Sequence, residues 1–209
     1  RGREAAILVL STMEKNDLAM VEAVVDALLG DKSERVRLKA VDGVRAMLLK
    51  SDTRDKRVLL DALGKSVSSD ASEKLRIKSA GTIKELKQDE LRQLAPVLAE
   101  VLKADKSAQV KVAVATALGK TGENAKSILK SMIEALKDPD PAVRAAVADS
   151  LGRIGFEAAE AVPALKPLLK DADPAVRLAV AFSLGRVGPE GASAIPELSQ
   201  ALVGDADIA

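Results

Sequence analysis

The chain has 209 residues, of which 47% are hydrophobic and 30% charged, with 32 Lys+Arg against 31 Asp+Glu. A net charge of +1 supplies no global drive towards nucleic acid or a membrane surface. The absence of Cys and His excludes disulfides, zinc and haem sites of the usual kind, and acid–base work by imidazole.

In chain order, amphipathic helical segments follow one another without a strand-like alternation to compete with them. They group into pairs at roughly 3–30, 33–67, 70–103, 106–137, 139–170 and 172–204. The opening helix contains Ala5, Ala6, Ile7, Leu8, Val9 and Leu10, which is not a polar cap. Ser51-Asp52-Thr53 and Ser68-Ser69-Asp70 are the clearest loop signals. From Asp105 the spelling becomes regular. DKSAQVKVAVATALGKTG at 105–122 is followed 33 residues later by DPDPAVRAAVADSLGRIG at 138–155, and after 33 more by DADPAVRLAVAFSLGRVG at 171–188. A fixed period of this length marks a repeat architecture. Within the middle copy Val143, Ala146, Val147, Leu151 and Ile154 share one helical face, as do Val176, Ala179, Val180, Leu184 and Val187 in the last. In the first copy the series ends on polar Thr121.

Asp140-Pro141 and Asp173-Pro174 read as an N-cap followed by Pro in the first turn. Gly152 and Gly185 sit late in their helices, where a missing side chain permits close packing, and Gly155 and Gly188 end them. A second helix follows each copy, at 123–137, 157–170 and 190–203. Pro163, Pro196 and Pro96 fit only a first turn or a bend. No low-complexity linker divides the chain, so one domain spanning 3–204 is expected.

The Asp-Pro before the first helix, the Val-Arg pair, the Ala-rich middle and Leu-Gly-Arg-x-Gly at its end resemble HEAT repeats, most nearly the bacterial PBS-lyase-type HEAT-like repeats. The resemblance is strongest over 105–204. It implies an all-α fold, a right-handed α-solenoid of about six antiparallel helix pairs. It does not imply one function, because such repeats serve as scaffolds, adaptors, lyases and nucleic-acid binders.

Candidate residues divide into two sets. Arg37, Arg76, Lys111, Arg144 and Arg177 recur once per unit, with Asp138 and Asp171 among the acids that recur beside them. Recurrence at every unit points to stacking, with each cation bonded to acidic or carbonyl groups of its own or the adjacent repeat. The second set lies on second helices: Arg54, Lys56, Arg57, Lys87, Arg92, Lys126, Lys130 and Lys137. In a solenoid of the resembled kind second helices line the concave face, so these cations are the candidate surface for an acidic partner. Asp55, Asp61, Glu85, Asp89, Glu90, Glu100 and Glu134 are interleaved with them, and no aromatic residue stands there to stack on bases. Nucleic acid is therefore the weaker reading. Phe156 and Phe182, the only aromatics, are assigned to core or turn packing, and Met13, Met20, Met47 and Met132 to core filling.

Gly119-Lys120-Thr121 looks like the end of a phosphate-binding loop, but the required earlier Gly is replaced by Val114. No catalytic constellation or cofactor motif stands out, so the chain is not expected to be an enzyme. The expected function is a protein–protein scaffold or adaptor, a structural or assembly subunit of a larger complex. A chromophore-lyase-type or chaperone-like subunit and a nucleic-acid binder working through the basic N-terminal part are the alternatives. Residues 1–137 carry 26 Lys+Arg against 20 Asp+Glu, and 138–209 carry 6 against 11, so end-to-end self-association or docking into a larger assembly is a further expectation. No apolar run approaches the roughly 20 residues that span a bilayer. Cytoplasmic location is slightly favoured, with export after signal removal as the alternative. The start at Arg1 fits a processed or truncated product.

Overall fold

The structure, a computed structural model, describes residues 2–13, 18–50, 56–122 and 126–204. All regular secondary structure among them is helical, and the fold is an all-α solenoid. The chain divides into two compact units, Arg1–Leu86 and Lys87–Ala209, so the division falls inside the third expected pair.

The first unit runs through α1 (Gly2–Thr12), α2 (Leu18–Gly30), α3 (Glu34–Leu49), α4 (Lys56–Ser69) and α5 (Glu73–Ile83). First helices stack on first helices, α1 on α3 and α3 on α5, while α2 stacks on α4. The stacking follows from the apolar spacing. Val36, Ala40, Val41, Val44 and Met47 make one buried side of α3, and Leu59, Leu60, Leu63 and Val67 one buried side of α4. One hairpin cannot cover such sides alone, and its neighbour supplies the other wall. Contact is closest at Gly43, where a Cβ would lie 2.9 Å from Ile7 Cγ2.

The second unit contains α6 (Gln88–Ala104), α7 (Ala108–Leu118), α8 (Lys126–Ala135), α9 (Pro141–Ile154), α10 (Val162–Leu165), α11 (Pro174–Leu184) and α12 (Ile195–Gly204). Segments of 3-10 helix occupy Gly155–Ala161, Lys166–Lys170 and Pro189–Ala194. Again α7, α9 and α11 stack in series, and α6 stacks on α8. Helix starts are capped by side chains: Ser107 accepts the Val110 amide at 3.2 Å, Asp140 that of Ala142 at 2.8 Å and Asp173 that of Ala175 at 2.8 Å. Gly155 and Gly188 take φ of 73° and 93°, a left-handed backbone that turns the chain out of α9 and α11.

Several local expectations are corrected. The segment 157–170 is not one α-helix but 3-10 turns around the single α turn of α10. Pro163 and Pro167 remove two amide donors within it, which favours short i→i+3 stretches. Pro96 lies inside α6, which continues through it. Phe156 and Phe182 are not core residues but stand 71% and 58% exposed, and Met13 is exposed as well. Phe156 lies against Gly188, where a Cβ would meet its ring at 2.3 Å. Thr121 is polar yet buried, because its hydroxyl donates to the Leu118 carbonyl at 2.7 Å.

Candidate functional site: a loop-edge ladder and the second-helix faces

Each loop that precedes a first helix carries an Asp, and all five bind their own chain in the same way. The carboxylates of Asp31, Asp70, Asp105, Asp138 and Asp171 accept the amide N–H two residues on, from Ser33, Ser72, Ser107, Asp140 and Asp173, at 2.8 to 2.9 Å. This closes an Asx turn and pins the carboxylate.

Within each unit these pinned carboxylates receive the recurring cations from the preceding first helix. Arg37 donates Nε and Nη2 to the two oxygens of Asp70, at 2.8 and 3.1 Å. Arg144 does the same to Asp171, at 2.9 and 2.8 Å. Lys111 reaches Asp138 with a single bond of 2.7 Å. Nη1 of each arginine turns back to the loop in front of its own helix. Arg37, Arg76, Arg144 and Arg177 donate it to the carbonyls of Asp31, Asp70, Asp138 and Asp171 at 2.8 to 3.0 Å. Arg37 and Arg144 therefore each tie two successive loops together. Their side chains and the carboxylates they meet are mostly buried, Arg144 at 16% and Asp171 at 7% exposure. The Arg144 guanidinium holds the Asp171 carboxyl below the usual carboxylate range, against the opposing effect of desolvation.

The sequence reading missed the first rung. Arg3 of α1 pairs with Asp31 at 2.8 Å, as Arg37 pairs with Asp70. Its only signal was its place 34 residues before Arg37.

The second set of cations is arranged differently. Lys56 and Arg57 open α4 in the first unit, Arg57 exposed. In the second unit Lys87 is the N-cap residue of α6, and Arg92 pairs with Asp89 one turn earlier at 3.0 Å. Lys130 on α8 and Lys137 just beyond it are exposed. Arg54 and the side chain of Lys126 lie outside the described residues. No group of three or more acidic side chains among the described residues is placed to hold a metal ion. In the first unit an open groove of about 330 Å³ lies over Arg37 and Asp70, which pair with each other, with Lys65, Ser66 and Ser69 on its wall.

Comparison with known proteins agrees with this geometry. Residues 129–208 match the family of HEAT repeats. No curated protein matches the chain. Among solved structures, the chain is similar to the archaeal HEAT-like repeats protein from Thermococcus onnurineus NA1, at 16% identity and TM-score 0.62, covering 97% of this chain and 87% of that one. It is equally similar to a chain from a structure described as the structural basis of microtubule plus end tracking by XMAP215, CLIP-170 and EB1, at 18% identity and TM-score 0.62, covering 93% and 92%. A third is Kap121p bound to Ste12p, at 15% identity and TM-score 0.61, covering 86% of this chain but 20% of that one. At these identities the likeness speaks for the fold. No helix among the described residues is long and apolar enough to cross a membrane. With the period, the stacked hairpins and the family match pointing the same way, residues 129–208 are HEAT repeats, and the chain as a whole shares the fold of HEAT-like repeat structures.

Proposed function

We propose that the chain is a non-enzymatic scaffold or adaptor that presents its second-helix faces to an acidic protein partner within a larger assembly. The observation that carries this reading is the division of labour between the two sets of cations. The recurring ones are spent on the loop-edge ladder, as Arg37–Asp70, Lys111–Asp138 and Arg144–Asp171 show. Others, Arg57, Lys130 and Lys137 among them, are exposed at second-helix positions and take no part in that ladder. A rigid repeat frame with variable residues on one set of helices is the arrangement by which solenoids recognise other chains. Kap121p, which shares the fold, is described in a bound state with Ste12p.

The test is native co-purification followed by charge reversal. The wild-type chain should recover a stoichiometric protein partner, and Arg57→Glu, Lys130→Glu and Lys137→Glu together should release it at lower salt. Recovery of the chain alone under gentle conditions, or a triple variant that holds its partner as firmly as wild type, would refute the proposal.

A further inference from the structure

Arg37 and its counterparts in the ladder make the same bonds with one exception. Each turns Nη1 back to the carbonyl of its own loop aspartate. Arg76, Arg144 and Arg177 reach the next carbonyl as well, those of Ala71, Pro139 and Ala172, at 3.1 to 3.4 Å. Arg37 makes no such second bond among the described residues. Three of its N–H groups are engaged, Nε and one on Nη2 with Asp70 and one on Nη1 with the Asp31 carbonyl. A guanidinium carries five, so one N–H on Nη1 and one on Nη2 are left over.

These spare donors belong to a side chain that lines the open groove of about 330 Å³ between the ends of α2 and α4. Lys65 stands on the α4 wall of the same groove. It is exposed, and no hydrogen bond or ion pair engages its ammonium among the described residues. Both acids of the groove are taken, Asp70 by Arg37 and Asp31 by Arg3, each at 2.8 Å. The positive charge of Lys65 is therefore not compensated from within. Leu29 and Ala71 give the rest of the lining an apolar character.

The chain shows elsewhere what a lysine at this place accepts as a partner. Lys65 stands five residues before Asp70, and Lys166 stands five before Asp171. Lys166 donates to the Glu197 carboxylate of α12 at 3.0 Å and to the Ser193 carbonyl at 2.8 Å. Where the repeat supplies a carboxylate the lysine is bonded to it, and at Lys65 none is supplied.

We propose that the groove between the ends of α2 and α4 is a carboxylate site, in which Lys65 and the spare N–H groups of Arg37 receive an acidic side chain from an extended segment of the partner. The inference rests on the reading of the chain as a scaffold for an acidic partner, and it adds a specific seat to the second-helix cations. Charge-assisted bonds to a carboxylate are the strong class, and the apolar lining suits the methylenes of a glutamate. A few such bonds in an open groove give weak, salt-sensitive binding.

The probe is a fluorescein-labelled hexaglutamate peptide with an amidated C-terminus, titrated by fluorescence anisotropy from about 10 µM to about 1 mM protein. Wild type should bind it saturably and should not bind a hexaglutamine control. Lys65→Gln should weaken binding about tenfold, and Lys65→Arg should restore most of it. A Cβ built at Gly30 meets nothing within 4 Å, so Gly30→Leu can fill the groove without displacing a neighbour. It changes no charge and should weaken binding as much as Lys65→Gln does. Lys74→Gln removes an exposed lysine of α5 outside the groove and should leave binding unchanged. Each variant is checked for unchanged helicity. Absence of saturable binding would overturn the proposal. So would a Gly30→Leu chain that binds as wild type does, or a loss at Lys74→Gln equal to that at Lys65→Gln, which would show attraction to charge at large. The scaffold reading is tested separately, through Arg57, Lys130 and Lys137 and the natural partner, so it can stand when the groove fails.

Discussion

Gly152 and Gly185 occupy the same place in successive repeats and are followed by the same residue type, yet alanine at the two should have opposite effects. At Gly152 the added methyl would lie 2.8 Å from Ser183 Cα and 3.2 Å from its Cβ and Oγ. Carbon atoms settle at about 3.5–4.0 Å, so α9 and α11 must separate by several tenths of an ångström where they pack most tightly. The obstacle is backbone, which cannot rotate away. Overpacking of this kind costs about 1–3 kcal/mol, while replacing a helical Gly by Ala returns about 1 kcal/mol. Gly152→Ala should therefore be destabilising by up to about 2 kcal/mol. At Gly185 the methyl would meet only carbonyl oxygens at 3.6 and 3.9 Å, an ordinary contact, and the backbone is already helical at φ −70°. There the gain stands alone, about 0.5–1 kcal/mol of added stability.

The difference between the two variants is better determined than either value, since much of the propensity term cancels. It should be about 1–3 kcal/mol. Urea unfolding followed by far-UV circular dichroism would measure it. Because repeat arrays open locally, hydrogen exchange of the α11 amides gives an independent reading. Gly119→Ala, against Ser150 Cα at 2.9 Å, should behave as Gly152→Ala does. Equal effects at Gly152 and Gly185 would refute the reasoning, because they would mean that α11 is packed on both sides.

Other outcomes follow from the ladder and the caps. Arg144→Met strands the Asp171 carboxylate and should cost about 2–4 kcal/mol in the same unfolding assay. Arg144→Lys should cost less, since Lys111 satisfies Asp138 with one bond of 2.7 Å. The Asp171 pKa is lowered in the folded chain, so its contribution is present above the unfolded value of about 3.9 and is lost as pH falls through the folded value. Melting temperature should accordingly fall less steeply below about pH 4 in Asp171→Asn than in wild type, and an equal slope would count against the pairing. Asp140→Ala and Asp173→Ala each remove an N-cap and should cost about 1 kcal/mol, read by the same denaturation. Ser150 and Ser183 bury hydroxyls without a hydrogen-bond partner, so Ser150→Ala should be neutral or stabilising by about 1 kcal/mol.

What the amino-acid order revealed and what it concealed have physical causes. Hairpins were legible because a 33-residue period fixes where each apolar side recurs, and Gly152 was legible because only close approach explains a glycine inside a helix. The pairing of Arg144 with Asp171 was legible only as a class of contact. The two residues lie 27 apart, and which carboxylate a guanidinium reaches depends on how successive loops are superposed. Pro163 and Pro167 were visible, but their joint effect, a second helix broken into 3-10 turns, depends on both donors being lost within one short segment. Phe182 was misassigned for a simpler reason. Large aromatic residues are usually buried, and nothing in the local pattern marks the position of Phe182 on α11 as exposed.

This last error bears on how function is distributed in the molecule. A residue that recurs with the period is under the same structural demand in every repeat, so it satisfies stacking before it can satisfy a partner; the five loop aspartates, each closing the same turn, are the plainest case. Departures from the period are free of that demand. Phe182 in place of Asp149, Leu178 in place of Ala145, and Lys130, which stands one period before Pro163, are such departures, and Phe182, Leu178 and Lys130 are exposed. In a repeat protein the informative positions are therefore the ones that break the repeat, and here they fall on two surfaces: the second-helix faces, which are charged, and the outer face of α11, which is apolar. Different chemistry on the two surfaces calls for different occupants, and that is why the salt-sensitive contact is assigned to the first.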